Sequence, residues 1–351
     1  MKYNNITASI LTALILTSSS ALAVEGGKVL DWTTENSKVE TNCTGELLAG
    51  KWVLTAIHCG WDGKRPVGFS PKYREENNLI ETKSIHDFPN GYSIGIDIGL
   101  WEQTSRVDYD TINVITPEKP IYGSTVGLKG FGGGKRELGY IELEGFNDLD
   151  SPNNPTLLFL RDIAGKGKPI GGDSGSAVTD SQNRIAAIFS ADHGLGIYSA
   201  SYIHGAKDFI TTTINDWHYP TRLKTVDGIN TVTVQSLHVN PTADTAYTEG
   251  DATITSGTCV GDNTIAPYAT CTYDITSNGD EGKLILDNTT NAYVLINKKP
   301  PEPPKPDPKP DPKPDSKPVP DPQPIPDNGG GGGSFGIFAL LSLGLLACKR
   351  R

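Results

Sequence analysis

The chain has 351 residues, with 31 Lys plus Arg against 41 Asp plus Glu and a net charge of −10 at pH 7, long enough for two modest domains or one large one. This acidic balance, with a pI near 5.1, argues against a nucleic-acid partner, which would need a basic face to displace counterions from phosphates. Five Cys, one Met, 39 Gly and 25 Pro, the last two unevenly spread, suit an exported β-rich chain better than a cytosolic helical one.

At the N-terminus, Lys2 precedes the apolar run Ile10–Leu16 and the small-residue end Ala21-Leu22-Ala23, the three-part form of a secretory signal peptide. Its apolar core is much shorter than the roughly 20 residues a membrane span needs, so cleavage of residues 1–23 and a mature chain beginning at Val24 are expected. Short alternating or β-branched runs bounded by Gly, Pro, Asn and Asp then predict strands over 51–56, 93–101, 125–129 and 184–190. Residues 205–217 place Phe209, Ile210, Ile214 and Trp217 at helical spacing, a single amphipathic helix closing a first domain of residues 24–222. From 225 to 298 the composition shifts to Thr, Val, Ile and Tyr, with runs at 230–239, 252–256, 270–275 and 282–286 that predict a small antiparallel, Ig-like β-sandwich. Cys259 and Cys271 lie in it without metal-ligand partners, so a disulfide is the simplest assignment for an exported protein.

Residues 299–328 are dominated by Pro with Lys and Asp interleaved, a composition that cannot pack a core and reads as an extended spacer of about 80 to 90 Å. Beyond it come Gly329–Gly333, Ser334, the apolar stretch Phe335–Cys348 and Lys349-Arg350-Arg351. Losing both ends removes Lys2, Lys349, Arg350 and Arg351 and takes the net charge from −10 to −14.

Three segments carry chemistry. The first, Cys43 to Cys59, is a strand pair delivering His58 beside a cysteine; the second, Ile96-Asp97-Ile98-Gly99-Leu100, sets an acid at an apolar strand end. The third, Gly171-Gly172-Asp173-Ser174-Gly175-Ser176-Ala177-Val178, puts a serine on a glycine turn leading into a strand. A serine nucleophile needs a base to take its proton and an acid to orient that base, and the three types occur in the order His, Asp, Ser. Each residue alone has a structural reading, but their joint order and the bracket of Cys43 and Cys59 tie them together. His86, His193, His204, His218 and His238 lack ligand spacing with Cys or carboxylates, so neither a catalytic metal nor a cofactor is expected.

That order, with these flanks, resembles the trypsin and chymotrypsin family of serine endopeptidases. Thr55–Cys59 is similar to the family's Thr-Ala-Ala-His-Cys with Ile57 as the departure, and Asp97–Leu100 to Asp-Ile-Ala-Leu with Gly99 as the departure, while Gly172–Gly175 matches Gly-Asp-Ser-Gly in full. Lys129-Gly130-Phe131-Gly132 and Gly196-Ile197-Tyr198 are similar to two further family segments, and the match runs from Val24 to about Trp217. The resemblance implies an all-β fold, a chymotrypsin-like double β-barrel with a C-terminal helix, here followed by the small sandwich. It further implies that Ser174 attacks a peptide carbonyl, His58 shuttles the proton, Asp97 orients the imidazole and the amides of Gly172 and Ser174 form an oxyanion hole, with a disulfide between Cys43 and Cys59.

In the family a freed apolar N-terminus pairs with the Asp before the nucleophile, which implies Val24 with Asp173; signal removal alone would then activate the enzyme. Glu25 departs from the family's apolar second residue. The base of the substrate pocket falls at Lys168, where trypsin-like members carry an acid, with Ser190, Asp192 and Gly196 on the walls and Ile170 in place of a pocket cysteine. Two arrangements are open: Lys168 pairs with Asp192 and leaves a neutral pocket, or Lys168 points away and Asp192 binds a basic side chain.

The C-terminal run resembles the GlyGly-CTERM sorting signal of Gram-negative bacteria, which implies processing by a rhomboid-type protease of the export machinery and a cell-surface or outer-membrane location; a retained anchor is the alternative. The leading function is a secreted serine endopeptidase acting on protein or peptide substrates. The rivals are a non-catalytic binding or adhesion protein on a protease fold and a narrow-specificity activator of another secreted protein.

Overall fold

Strand-forming runs between residues 38 and 103 fold into one sheet of the computed structural model, which describes residues 24–60, 66–68, 79–119, 123–134, 137–146, 156–226 and 228–298. The signal peptide, Pro-rich spacer and sorting tail, read at 1–23, 299–328 and 329–351, lie outside the described residues. After a short β1 (Lys28–Leu30) come β2 (Lys38–Glu40), β3 (Thr44–Leu48), β4 (Trp52–Thr55), β5 (Pro66–Val67), β6 (Ile80–Asp87) and β7 (Gly99–Gln103). Their order is β2-β3-β4-β7-β6-β5, and a bridge from Glu40 in β2 to Gly68 after β5 joins the two edges into a barrel.

The second barrel uses β8 (Thr125–Gly130), β9 (Leu138–Phe146), β10 (Leu157–Asp162), β11 (Ala177–Thr179), β12 (Ile185–Gly194) and β13 (Ile197–Tyr202). Its ring β8-β9-β10-β13-β12-β11 closes by pairing of β11 with β8, and closure removes the open edges that would otherwise template aggregation. β1 adds to the free side of β9, with Lys28 opposite Tyr140. Alternation shows in β9, where Ile141 and Leu143 are buried and fill the barrel with Val126, Leu128 and Leu160, while Leu138 at the strand's start packs instead with Trp32 and Phe131.

The expected closing helix is Ile203–Ile214, with Ile203, Ala206, Ile210 and Ile214 buried along one face. It stops at Asn215, whose left-handed φ of 43° and N–H bond to the Thr211 carbonyl end the ladder. Trp217, read as the last helical residue, instead lies in β14 (Trp217–His218), because Asn215 breaks the period and Trp217 pairs with Ser236 of the sandwich.

The sandwich stacks the sheet β14-β16-β19-β18 on the sheet β15-β21-β20-β17. Its strands are β15 (Arg222–Leu223), β16 (Asn230–Ser236), β17 (Tyr247–Gly250), β18 (Thr253–Ser256), β19 (Thr270–Thr276), β20 (Gly282–Asp287) and β21 (Ala292–Ile296). Val232, Val234, Tyr273, Leu284 and Val294 meet Trp217 in its core, and Cys259 and Cys271 are joined by a disulfide as expected.

The sandwich is docked rather than hung. The buried Gln235 amide bonds both backbone groups of Ile115, donating to its carbonyl at 2.6 Å and accepting from its N–H at 2.9 Å. Arg106 donates to the carbonyls of Thr221 and Tyr293 and stacks 3.8 Å from the Tyr293 ring centroid. His218, fully buried, accepts the Ala49 N–H at Nδ1 (3.3 Å) and donates from Nε2 to the Asn113 carbonyl (3.2 Å); burial pushes its pKa down to about 4.

Candidate active site

The hairpin of β3 and β4 holds its register through Glu46 opposite Leu54 and Leu48 opposite Trp52, and the chain then winds into the 3₁₀ turn Ile57–Gly60. Ile57 and Cys59 turn inward and His58 between them stays partly exposed; the Cys43–Cys59 disulfide ties that turn to the start of β3. His58 Nδ1 lies 2.6 Å from Asp97 Oδ2, and the His58 backbone N–H donates to Asp97 Oδ1 at 3.1 Å. Ser190 Oγ donates to the same Oδ2 at 2.6 Å, and the N–H of Asp97 donates to Ser201 Oγ at 2.8 Å. Burial alone would raise the Asp97 pKa, but the bonds from His58 and Ser190 outweigh it and hold the carboxyl below its usual range. An ionised acid at Nδ1 keeps the proton there and leaves the lone pair on Nε2.

Ser174 sits on a turn fastened to both barrels. Its carbonyl accepts the N–H of Thr44 in the first barrel at 2.8 Å, and the next residue, Gly175, donates to the Phe189 carbonyl in the second at 2.9 Å. A β-carbon at Gly175 would collide with Thr55 Oγ1 and the Thr44 carbonyl, so glycine lets the serine turn press against the end of β4, three residues before His58. Gly172, with φ of 103°, adopts a backbone open mainly to glycine, and its carbonyl accepts Thr44 Oγ1 at 3.1 Å. Among the described residues, the amides of Gly172 and Ser174 make no hydrogen bond to protein acceptors.

Asp173 points the other way and is fully buried, accepting the N–H groups of Gly132 (2.9 Å) and Ile170 (2.8 Å). The segment Gly130-Phe131-Gly132 has its reason here, since a β-carbon at Gly132 would meet Asp173 Oδ2 at 2.5 Å. No cation among the described residues pairs with Asp173, and burial drives its pKa up to about 7 against the two amide bonds. Val24, also fully buried, packs with Val126, Ile141 and Leu160, and no bond joins it to Asp173 among the described residues.

The four residues read as the base and walls of the substrate pocket separate. Lys168, Asp192 and Gly196 line one cleft of about 370 Å³, together with Ile170 and Gly171 of the nucleophile loop. Ser190 does not line it; its hydroxyl serves Asp97, because a buried carboxylate collects every donor in reach. Lys168 does not pair with Asp192: its Nζ lies 3.1 Å from Glu25 Oε2 and its N–H donates to the Glu25 carbonyl at 2.9 Å. Asp192 Oδ1 accepts the Gly194 N–H at 2.7 Å. The cleft also holds Asp162, which the sequence reading passed over; it ends a strand, where an acid reads as a turn former. The Cys43, His58 and Cys59 donor atoms lie within 4.8 Å of one another, but both sulfurs are spent in the disulfide and offer no thiolate to a metal.

No known family model matches the sequence, and no curated protein matches it. Among solved structures, human heparin binding protein aligns with a TM-score of 0.46 at 15% identity over 54% of this chain and 96% of its own. The secreted serine protease VesC from Vibrio cholerae aligns at 0.43 and 18% identity over 77% of this chain and 70% of its own. A Glu endopeptidase aligns at 0.43 and 18% identity, over 53% and 95% respectively.

Proposed function

We propose that the protein is a secreted serine endopeptidase, with a catalytic domain over residues 24–222, a sandwich over 225–298, a spacer and a sorting tail that a rhomboid-type protease removes at the cell surface of a Gram-negative bacterium. The observation that carries the reading is the Asp97–His58 pair at 2.6 Å, doubly anchored and set against the serine turn where the two barrels meet.

In this reading His58 Nε2 takes the Ser174 hydroxyl proton as Oγ attacks the peptide carbonyl, and Asp97 stabilises the imidazolium without becoming protonated. The oxyanion is met by the amides of Gly172 and Ser174, where one lost donor costs about 2.7 to 4 kcal/mol. His58 then gives its proton to the leaving amine, and water attacks the acyl-enzyme by the same route in reverse. Signal cleavage frees the Val24 ammonium, which supplies Asp173 with the cation it lacks and fixes the loop bearing those amides.

Labelling of the exported protein by a fluorophosphonate probe tests this. Wild type is expected to label and Ser174→Ala not to; folded wild type that begins at Val24 and stays unlabelled would sink the proposal.

A further inference from the structure

Two departures from the family pattern, Glu25 and Lys168, face each other. They are joined twice, by a backbone bridge and by the ion pair of Glu25 Oε2 with Lys168 Nζ. With the lysine so engaged, the remaining charges of the cleft are carboxylates. Asp162 Oδ1 accepts the Tyr198 hydroxyl at 2.9 Å, and the α-carbon of Gly196 leaves room for its other oxygen, which a β-carbon there would meet at 2.6 Å. Asp192 uses one oxygen on the Gly194 N–H. Burial and then Asp162, Asp192 and Glu25 together raise the Tyr198 pKa, as expected where three carboxylates share one concave space.

We propose that Glu25 is a specificity-determining residue: by holding Lys168 it leaves the cleft that Ile170 and Gly171 of the nucleophile loop line to Asp162 and Asp192, so that the site selects a cationic, Lys- or Arg-like, substrate side chain. The inference rests on the endopeptidase reading for the role of the cleft, while its charge logic stands on geometry alone. It makes the second residue of the mature chain part of substrate selection. The same cleavage that frees Val24 thus sets free the segment that tunes the pocket. Without Glu25, the Lys168 ammonium would face the incoming cation, and like charges in a concave site of low dielectric repel strongly.

The test measures binding of p-aminobenzamidine, a fluorescent amidinium, and of its neutral amide analogue to the exported protein, alongside fluorophosphonate labelling. The amidinium is expected to bind at least about tenfold tighter than the amide. Glu25→Gln and Asp162→Asn are each expected to weaken amidinium binding about tenfold, and Glu25→Gln combined with Lys168→Met to restore it to within about threefold. That rescue excludes misfolding as the cause, and thermal unfolding of each variant checks the same point. Equal binding of the two probes, or Glu25→Gln binding as wild type does, overturns the inference. Labelled protein indifferent to probe charge defeats the pocket and leaves the endopeptidase; unlabelled protein that still selects the amidinium defeats the endopeptidase and leaves the pocket.

Discussion

Asp97 and Asp173 are both buried carboxylates within reach of one serine turn, yet they are driven in opposite directions. Burial raises both; Asp97 also receives an imidazole, a hydroxyl and a backbone amide and ends below the usual range, whereas Asp173 receives two backbone amides and ends near 7. The lesson is that depth alone does not set a buried acid; the number and kind of its donors do. The Asp97–His58 corner therefore has its partners in place, while Asp173 has no cation among the described residues.

The largest expected effect comes from breaking the complete side. Asp97→Asn keeps the packing but presents the wrong partner to Nδ1, and kcat for peptide hydrolysis is expected to fall about 10⁴-fold. A loss below about tenfold would show that Asp97 does not set the tautomer.

The incomplete side is read by stability against pH. In a chain retaining residues before Val24, burial pushes the Asp173 pKa up to about 7 from its ordinary 3.8, so between these pH values the folded state binds more protons than the unfolded one. Stability is then lost as pH rises from about 4 to about 7, by about 4 kcal/mol at most. Urea titrations should show this slope, and both Asp173→Asn and a chain beginning at Val24 should flatten it.

His218 gives the opposite sign at the sandwich seam. Burial pushes its folded pKa down to about 4 from the ordinary 6.5, so stability is lost as pH falls through that window, by about 3 kcal/mol. His218→Gln should remove the acid slope while leaving the Asp173 slope intact. The smallest effect sharpens the comparison from within: Ser190→Ala takes one donor from Asp97, and kcat should fall about tenfold with the acid limb of the pH–rate profile moved upward. An unmoved limb would mean that Ser190 only fills space.

Much of this was legible because local patterns and chemistry coincide. The hairpin before His58, the turn around Ser174 and both disulfides are sequence-local, and alternation found β8, β12, β16 and β19 to within a few residues. What stayed hidden depends on residues far apart in the chain. Ser190 reads as a pocket-wall residue and nothing local marks Ser201, and only barrel closure carries their hydroxyls to Asp97, 93 and 104 positions away. Nothing in the sequence marks Lys38 for burial, yet it is 1% exposed and lies 2.8 Å from Glu46 across the β2–β3 pair. Gln235 finds Ile115 across 120 positions, a pairing that no window of sequence contains.

The short strand β1 pins Lys28 opposite Tyr140, only four residues beyond Val24. A terminus released there stays within roughly 14 Å of its anchor. A freed ammonium on so short a tether has an effective concentration on the order of millimolar or more at every point it can reach. A soluble amine offered in its place would have to match that concentration throughout the solution, so a chain kept inactive by an uncleaved leader should resist rescue by added dipeptides at ordinary doses. On the proposed activation, the switch is a change of connectivity, one peptide bond fewer, rather than the arrival of a separate activator.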